Sequence, residues 1–163
     1  MPEFSGPWKD DFSKAYAHTS VSIVREILCD GVITEAEAAE INDRFRECLE
    51  AAGLTEVRIS EYGQLGISIP PGSDAATVNA QERACEDDTG WFPVNMLYNN
   101  VRTNPDNVDK DQLTADCLVR LGLRPEGYSL ADLNNEYSGD NAFSDIADNP
   151  KLWECQNDPL HAQ

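Results

Sequence analysis

Histidine and positive charge are what this chain has least of. Its two histidines, His18 and His161, lie near opposite ends, which disfavours both a Cys–His catalytic pair and a histidine-bearing zinc site. Lysine and arginine number 12 against 30 aspartates and glutamates, a formal charge of −18. Phosphate backbones and anionic lipid surfaces are gripped by basic clusters, so nucleic acid and membrane surfaces are excluded as main partners. No apolar run of about 20 residues occurs, so no segment reads as a membrane-spanning helix. A basic segment leading into an apolar one, the mark of a signal peptide, is missing as well. Met1-Pro2-Glu3-Phe4 reads as an expression-vector join, with residues 1–7 vector-derived or linker, and a natural leader would then have been trimmed away. Gly-x-Ser-x-Gly, His-Glu-x-x-His, the phosphate loop and Gly-x-Gly-x-x-Gly are all absent.

What is present is helical grammar. Phe12, Tyr16, Ile23, Val24, Ile27 and Leu28 recur at steps of three and four, predicting one helix over 10–29 that ends at Asp30-Gly31. Thr34 with Glu37 three residues on is a capping box, opening a helix with Ile41, Phe45, Cys48, Leu49 and Ala52 on one face and Gly53 as its stop. Val57, Ile59, Leu65, Ile67 and Ile69 alternate with polar residues, predicting a small hairpin. Ser73 or Asp74 caps a third helix that stops at Thr89-Gly90, and another follows behind Pro93 until Asn104-Pro105. Leu113, Cys117, Leu118 and Leu121 line the next helix, which ends at Gly122. The tail offers Leu130 to Tyr137 and Phe143 to Ala147. The fold class is therefore mainly α with one small β-hairpin.

Five cysteines punctuate this pattern, two of them in the same phrase: Cys48-Leu-Glu-Ala-Ala-Gly-Leu54 and Cys117-Leu-Val-Arg-Leu-Gly-Leu123. Cys85 follows Cys48, and Cys155 follows Cys117, at nearly equal spacing. The simplest reading is an internal duplication with pairs Cys48–Cys85 and Cys117–Cys155, although spacing alone leaves other pairings open. The halves would be 8–90 and 91–163, packed as one unit through the Trp91 to Tyr98 segment. Such bonds persist outside the reducing cytosol, so the expected location is secreted or on the cell envelope. Cys29 is left over as a free thiol: first a small buried hydrophobe, otherwise an intermolecular disulfide former or a replaced residue.

Two segments echo calcium loops. Asp30-Gly31-Val32-Ile33-Thr34 with Glu37 has the second half of the motif without the first, and reads better as a turn and a cap. Asn134, Glu136, Ser138, Asp140 and Asp145 form a second, imperfect frame in which calcium is the one cofactor to entertain. The densest aromatic cluster is Trp91, Phe92, Met96 and Tyr98. Core packing is its first expectation; exposed, it would anchor a protein, peptide or glycan ligand in a hydrophobic groove between the halves.

Phe12-Ser-Lys-Ala-Tyr16, then Val24 through Glu37, then Arg44-Phe-Arg-Glu-Cys-Leu-Glu-Ala-Ala-Gly53 resemble a pattern recurring in secreted proteins and lipoproteins of actinobacteria. The resemblance runs from Phe12 to Cys85 and implies export, lipid anchoring upstream of Ser5 and structural disulfides; Cys29 departs from it. Together these readings make the expected role a non-enzymatic extracellular or cell-envelope binding module. A calcium-binding acidic protein and an envelope hydrolase built on a carboxylate pair are the alternatives, and the oligomeric state is open.

Overall fold

The stripe over residues 10–29 folds as two helices instead of one. In the computed structural model, which describes Met1–Gln163, α1 spans Lys9–His18 and α2 spans Ser22–Leu28. Thr19 between them is extended, and its hydroxyl accepts a hydrogen bond from the Val21 N–H at 3.2 Å. That short-range bond competes with the helical one, as threonine and serine often do. Packing supplies the other half of the reason: a Cβ built on Gly90 would sit 2.4 Å from Val24 Cγ2. Only a glycine there lets the start of α2 press onto the end of a later helix.

The chain divides into two compact units, Met1–Asn100 and Val101–Gln163. In the first, α3 spans Glu35–Ala51 and begins with the expected box: Thr34 Oγ1 accepts from Glu37 N, and Glu37 Oε2 accepts from Thr34 N at 2.8 Å. Its buried residues, Ala38, Ile41, Phe45 and Leu49, form the stripe that faces the core. Strands β1, Thr55–Ile59, and β2, Leu65–Ser68, pair antiparallel with an irregular register between Thr55 and Arg58. Val57 is buried, but Ile69 lies beyond β2 and is exposed, so the alternation ends one residue before it was expected to. Helix α4, Ala75–Thr89, is capped by Asp74, which accepts from Thr77 N, and closed by Gly90 in the left-handed region. Helix α5 then runs Trp91–Thr103.

The halves therefore divide after Asn100, and not before Trp91 as the spacing implied. The reason is Trp91 itself. Its ring stacks on Phe45 at 4.2 Å between centroids, and its Nε1 donates to Asn42 Oδ1 at 2.8 Å. Those contacts, with fully buried Val94 and Leu97, tie the first turns of α5 into the core of the first unit. Asn95 Nδ2 also donates to Gly63 O at 3.0 Å, holding the hairpin turn against α5.

The second unit contains α6, Lys110–Arg120, α7, Leu130–Tyr137, and α8, Pro150–Asn157. Caps from Asp109, Ser129 and Asn149 start them, each side chain accepting a backbone N–H. The helix expected at Phe143 to Ala147 is a run of turns instead, with Phe143 itself at φ 57°. The real last helix starts at Asn149-Pro150, a cap followed by proline at the first helical position, where the ring suits the geometry and the missing N–H costs nothing. Ala115, Leu118, Leu133, Phe143, Leu152 and Ala162 gather around the buried Cys117 and Cys155. Arg120 ties down the C-terminus by donating to the carbonyls of Pro159 and Ala162.

The repeated phrase has a structural meaning. Ala52 N donates to Cys48 O, Gly53 N to Glu50 O and Leu54 N to Leu49 O; Leu121 N, Gly122 N and Leu123 N donate in the same pattern to Cys117, Val119 and Leu118. Both are Schellman-type helix ends, which need a left-handed residue where Gly53 and Gly122 stand at φ 90° and 71°. The cysteine heading each phrase is clasped: Cys48 to Cys85 and Cys117 to Cys155, with Cα–Cα distances of 5.7 and 5.6 Å. Each bond thus fixes the last turn of a helix to another helix, α3 to α4 and α6 to α8. No helix is long and apolar enough to cross a membrane.

Candidate functional site

A cleft of about 300 Å³ opens in the first unit where α1 and α4 both end. His18 stands at the end of α1, Thr19 and Ser20 come from the break before α2, and Glu86 and Asp87 belong to the last turn of α4. The same surface is lined by Val21, the N-cap of α2, and by Pro93 in the first turn of α5, so helix ends of both signs meet there and the net negative charge comes from the two carboxylates. Burial pushes the Glu86 carboxyl above its ordinary value of 4.5, and the neighbouring charges of Glu82 and Asp87 push it further, against the pull of Arg83. His18 Nδ1 lies 2.7 Å from Lys14 O, one turn back, which fixes the ring at the rim. Chemically, the cleft favours a cation, and a carboxyl with a raised pKa there is a potential proton donor.

The residues expected to form a ligand surface part company. Trp91 is 5% exposed and belongs to the core, while Phe92 is 55% exposed. Met96 and Tyr98 are half-buried. Consecutive helical residues point about 100° apart, so Trp91 and Phe92 cannot share a face once both lie in α5. Cys29, expected first to be buried, is an exposed free thiol. It follows α2 as its C-cap, where Val24, Ile27 and Leu28 have already taken the inward positions.

The second calcium frame surrounds an arginine. Arg124 Nε donates to Glu136 Oε2 at 3.0 Å, its Nη2 bonds Glu136 Oε1, and Nη1 and Nη2 each reach an Asp145 oxygen at 3.0 Å. Tyr128 Oη and the Phe143 N–H also donate to Glu136, and the guanidinium lies over the Tyr128 and Phe143 rings. Hydrogen bonding from Arg124 holds the Glu136 carboxyl below its ordinary range, whereas burial and then the bond to Glu136 push the Tyr128 phenol up to about 12. Of the other members, Ser138 bonds the backbone carbonyl of Asn134, and no group of three or more acidic, histidine or cysteine side chains is placed to hold a metal. Two carboxylates that calcium would use, those of Glu136 and Asp145, are thus committed through all four oxygens to an internal cation. The first frame resolves into a turn, with Asp30 Oδ1 accepting from Val32 N, followed by the capping box of α3.

Sequence reading missed the cleft and Arg124. His18 and Glu86 are distant in the chain, and the only signal was polar Thr19-Ser20 interrupting an apolar stripe. Arg124 carried none, since a lone arginine after Gly-Leu looks like any solvated side chain. No protein-family model, curated protein or solved structure matches the chain.

Proposed function

We propose that the protein is a non-enzymatic binding module of an exported or envelope-facing actinobacterial protein, and that its cleft takes a positively charged group of a protein or peptide partner. The observation that carries this reading is the meeting of the Glu86 and Asp87 carboxylates in one concave surface beside the carbonyl ends of α1 and α4. Two disulfides support the compartment, because such bonds persist where thiols are not continually reduced. The charge of −18 supports the partner, since long-range attraction brings basic ligands in and keeps acidic ones out. Titrating the native protein with a tetralysine peptide tests it. Amide shifts at His18, Glu86 and Asp87 are expected, weakening with salt and falling about tenfold in affinity, the equivalent of 1.4 kcal/mol, in Glu86→Gln. Equal binding of a tetraglutamate peptide, or no effect of Glu86→Gln, would sink the reading.

The raised Glu86 carboxyl favours a second reading, a hydrolase with Glu86 as general acid. Turnover of a glycan or peptide substrate that disappears in Glu86→Gln and is strongest on the acid side would establish it. Calcium binding has less in its favour, because Arg124 already neutralises Glu136 and Asp145. A melting temperature raised by calcium and restored by chelator would bring it back.

A further inference from the structure

The cleft of the first unit holds more than charge, and its walls bear on which cation it takes. Ala15, Val21, Gly90 and Pro93 line it without a polar side-chain atom among them, and they come from α1, the start of α2, the end of α4 and the first turn of α5. A Cβ built on Gly90 would stand 3.6 Å from Val21 Cβ, so these two form one continuous wall. Ala15, Val21 and Pro93 are half-buried, each with part of its surface left open. Among the polar lining, Thr19 is engaged through both oxygens: its carbonyl accepts from Arg25 Nε at 3.1 Å and its hydroxyl from Val21 N at 3.2 Å. His18 Nδ1 faces Lys14 O, which can only accept, so Nδ1 carries the proton and the neutral ring offers Nε2 as an acceptor. Arg83 is the one cation acting on Glu86, and it does so through charge without a hydrogen bond.

The second unit shows how a guanidinium is held in this protein. Arg124 meets Glu136 and Asp145 through both oxygens of each, and the rings of Tyr128 and Phe143 lie against its face. A planar fork asks for such paired oxygens and flat surfaces. The cleft has neither. No phenylalanine, tyrosine or tryptophan lines it. Glu86 and Asp87 are consecutive on α4, so their side chains leave the helix axis about 100° apart and present no flat pair. An ammonium makes no such demand, because its N–H bonds splay around a point charge and can go to separate acceptors. A carbon stem behind it would lie along Ala15, Val21 and Pro93, as the stems of long cationic side chains lie on apolar surface.

We propose that the cleft is a lysine site, taking an alkylammonium group with its head among Glu86, Asp87 and His18 Nε2 and its stem on Ala15, Val21 and Pro93, in preference to the guanidinium of arginine. This rests on the reading of the cleft as a cation site and adds which cation it selects. The carboxylates supply the attraction and the apolar wall supplies the choice. Val21, at the centre of that wall, is the specificity-determining residue.

The test titrates the full chain, wild type and Val21→Thr, at fixed ionic strength, following the amides of His18, Val21 and Glu86 by NMR. The probes are butylammonium, which is the lysine side chain cut free, methylammonium, which is the head alone, propylguanidinium, which is the arginine side chain, and a lysine blocked as its acetyl methylamide. Butylammonium should bind about tenfold more tightly than methylammonium, through partial burial of its extra methylenes. It should also bind severalfold more tightly than propylguanidinium, and the blocked lysine should match it. Threonine keeps the branched shape of Val21 and makes a better N-cap for α2, so Val21→Thr should fold. In that variant the gap between butylammonium and methylammonium should narrow about threefold. Equal affinities for those two probes, a gap unchanged in Val21→Thr, an equal or tighter fit of propylguanidinium, or exclusion of the blocked lysine overturns this proposal and leaves the cation reading standing. Absence of all binding, tetralysine included, overturns both.

Discussion

The two units carry the same clasp and opposite electrostatics. In each, a helix ends in a Cys-Leu-x-x-x-Gly-Leu turn whose hydrogen bonds match one for one, and a disulfide ties that turn to another helix. Around the clasp they diverge. The first unit fills its core with Phe45, Trp91, Leu49 and Leu97 and leaves Glu86 crowded by other acids. The second encloses Arg124 between two carboxylates and two aromatic rings, and its partly buried Glu136 is stabilised in charged form. A backbone motif set by a glycine can evidently be kept while the side chains about it are rewritten.

Removing the clasps gives the largest expected separation. For loops of 37 and 38 residues each bond is worth about 4 kcal/mol by the chain-entropy argument. Cys117→Ser with Cys155→Ser should cost the second unit its cooperative fold, because a short unit buries a smaller share of its surface and has less stability to lose. Cys48→Ser with Cys85→Ser should leave the first unit folded but weaker by a similar amount. Residue-level hydrogen exchange with urea unfolding separates the two, and equal behaviour of both units would break the comparison.

Arg124→Met comes next. Side-chain exposures of 10% for Arg124 and 19% for Glu136 make this a largely buried pair. Removing one partner strands the other, at a cost of about 3 kcal/mol. The loss should be confined to protection of residues in α6, α7 and the turns around Phe143, with α3 and α4 unmoved. A drop in the urea midpoint for both units alike would contradict the assignment.

Acid should then move the units in opposite directions by a smaller amount. Folded Glu86 has its pKa raised, so just above 4.5 the folded chain keeps a proton the unfolded chain has released, and this destabilising contribution fades as pH falls through that window. Folded Glu136 has its pKa lowered; its contribution is complete above 4.5 and is lost as pH falls below that towards the folded value. Opening free energies from hydrogen exchange, measured across the acid range for α4 and for α7, should slope oppositely. Slopes of one sign would mean that the general charge of −18 outweighs both carboxyls.

Much of the fold was legible because its signals are short-range. Thr34 and Glu37, Asp74, Gly53, Gly90 and Gly122 act on the backbone within a turn of themselves, and each helix end they mark is where the sequence puts it. The matched spacing after Cys48 and Cys117 pointed to the pairing for a related reason, since a repeated local motif leads to a repeated partner. The site was far less legible. Trp91 reads as a ligand anchor or a core residue until Asn42 and Phe45 are known to meet it.

By itself, then, the sequence determined the helical class, most helix ends and the hairpin, because capping groups and positive-φ glycines act over a few residues, and its repeated cysteine spacing pointed to both clasps without fixing them. Tertiary structure alone decided that Glu136 and Asp145 serve Arg124 and that His18 and Glu86 line one cleft. Those outcomes depend on side chains far apart in the chain whose burial and charge balance exist only once packing has brought them together.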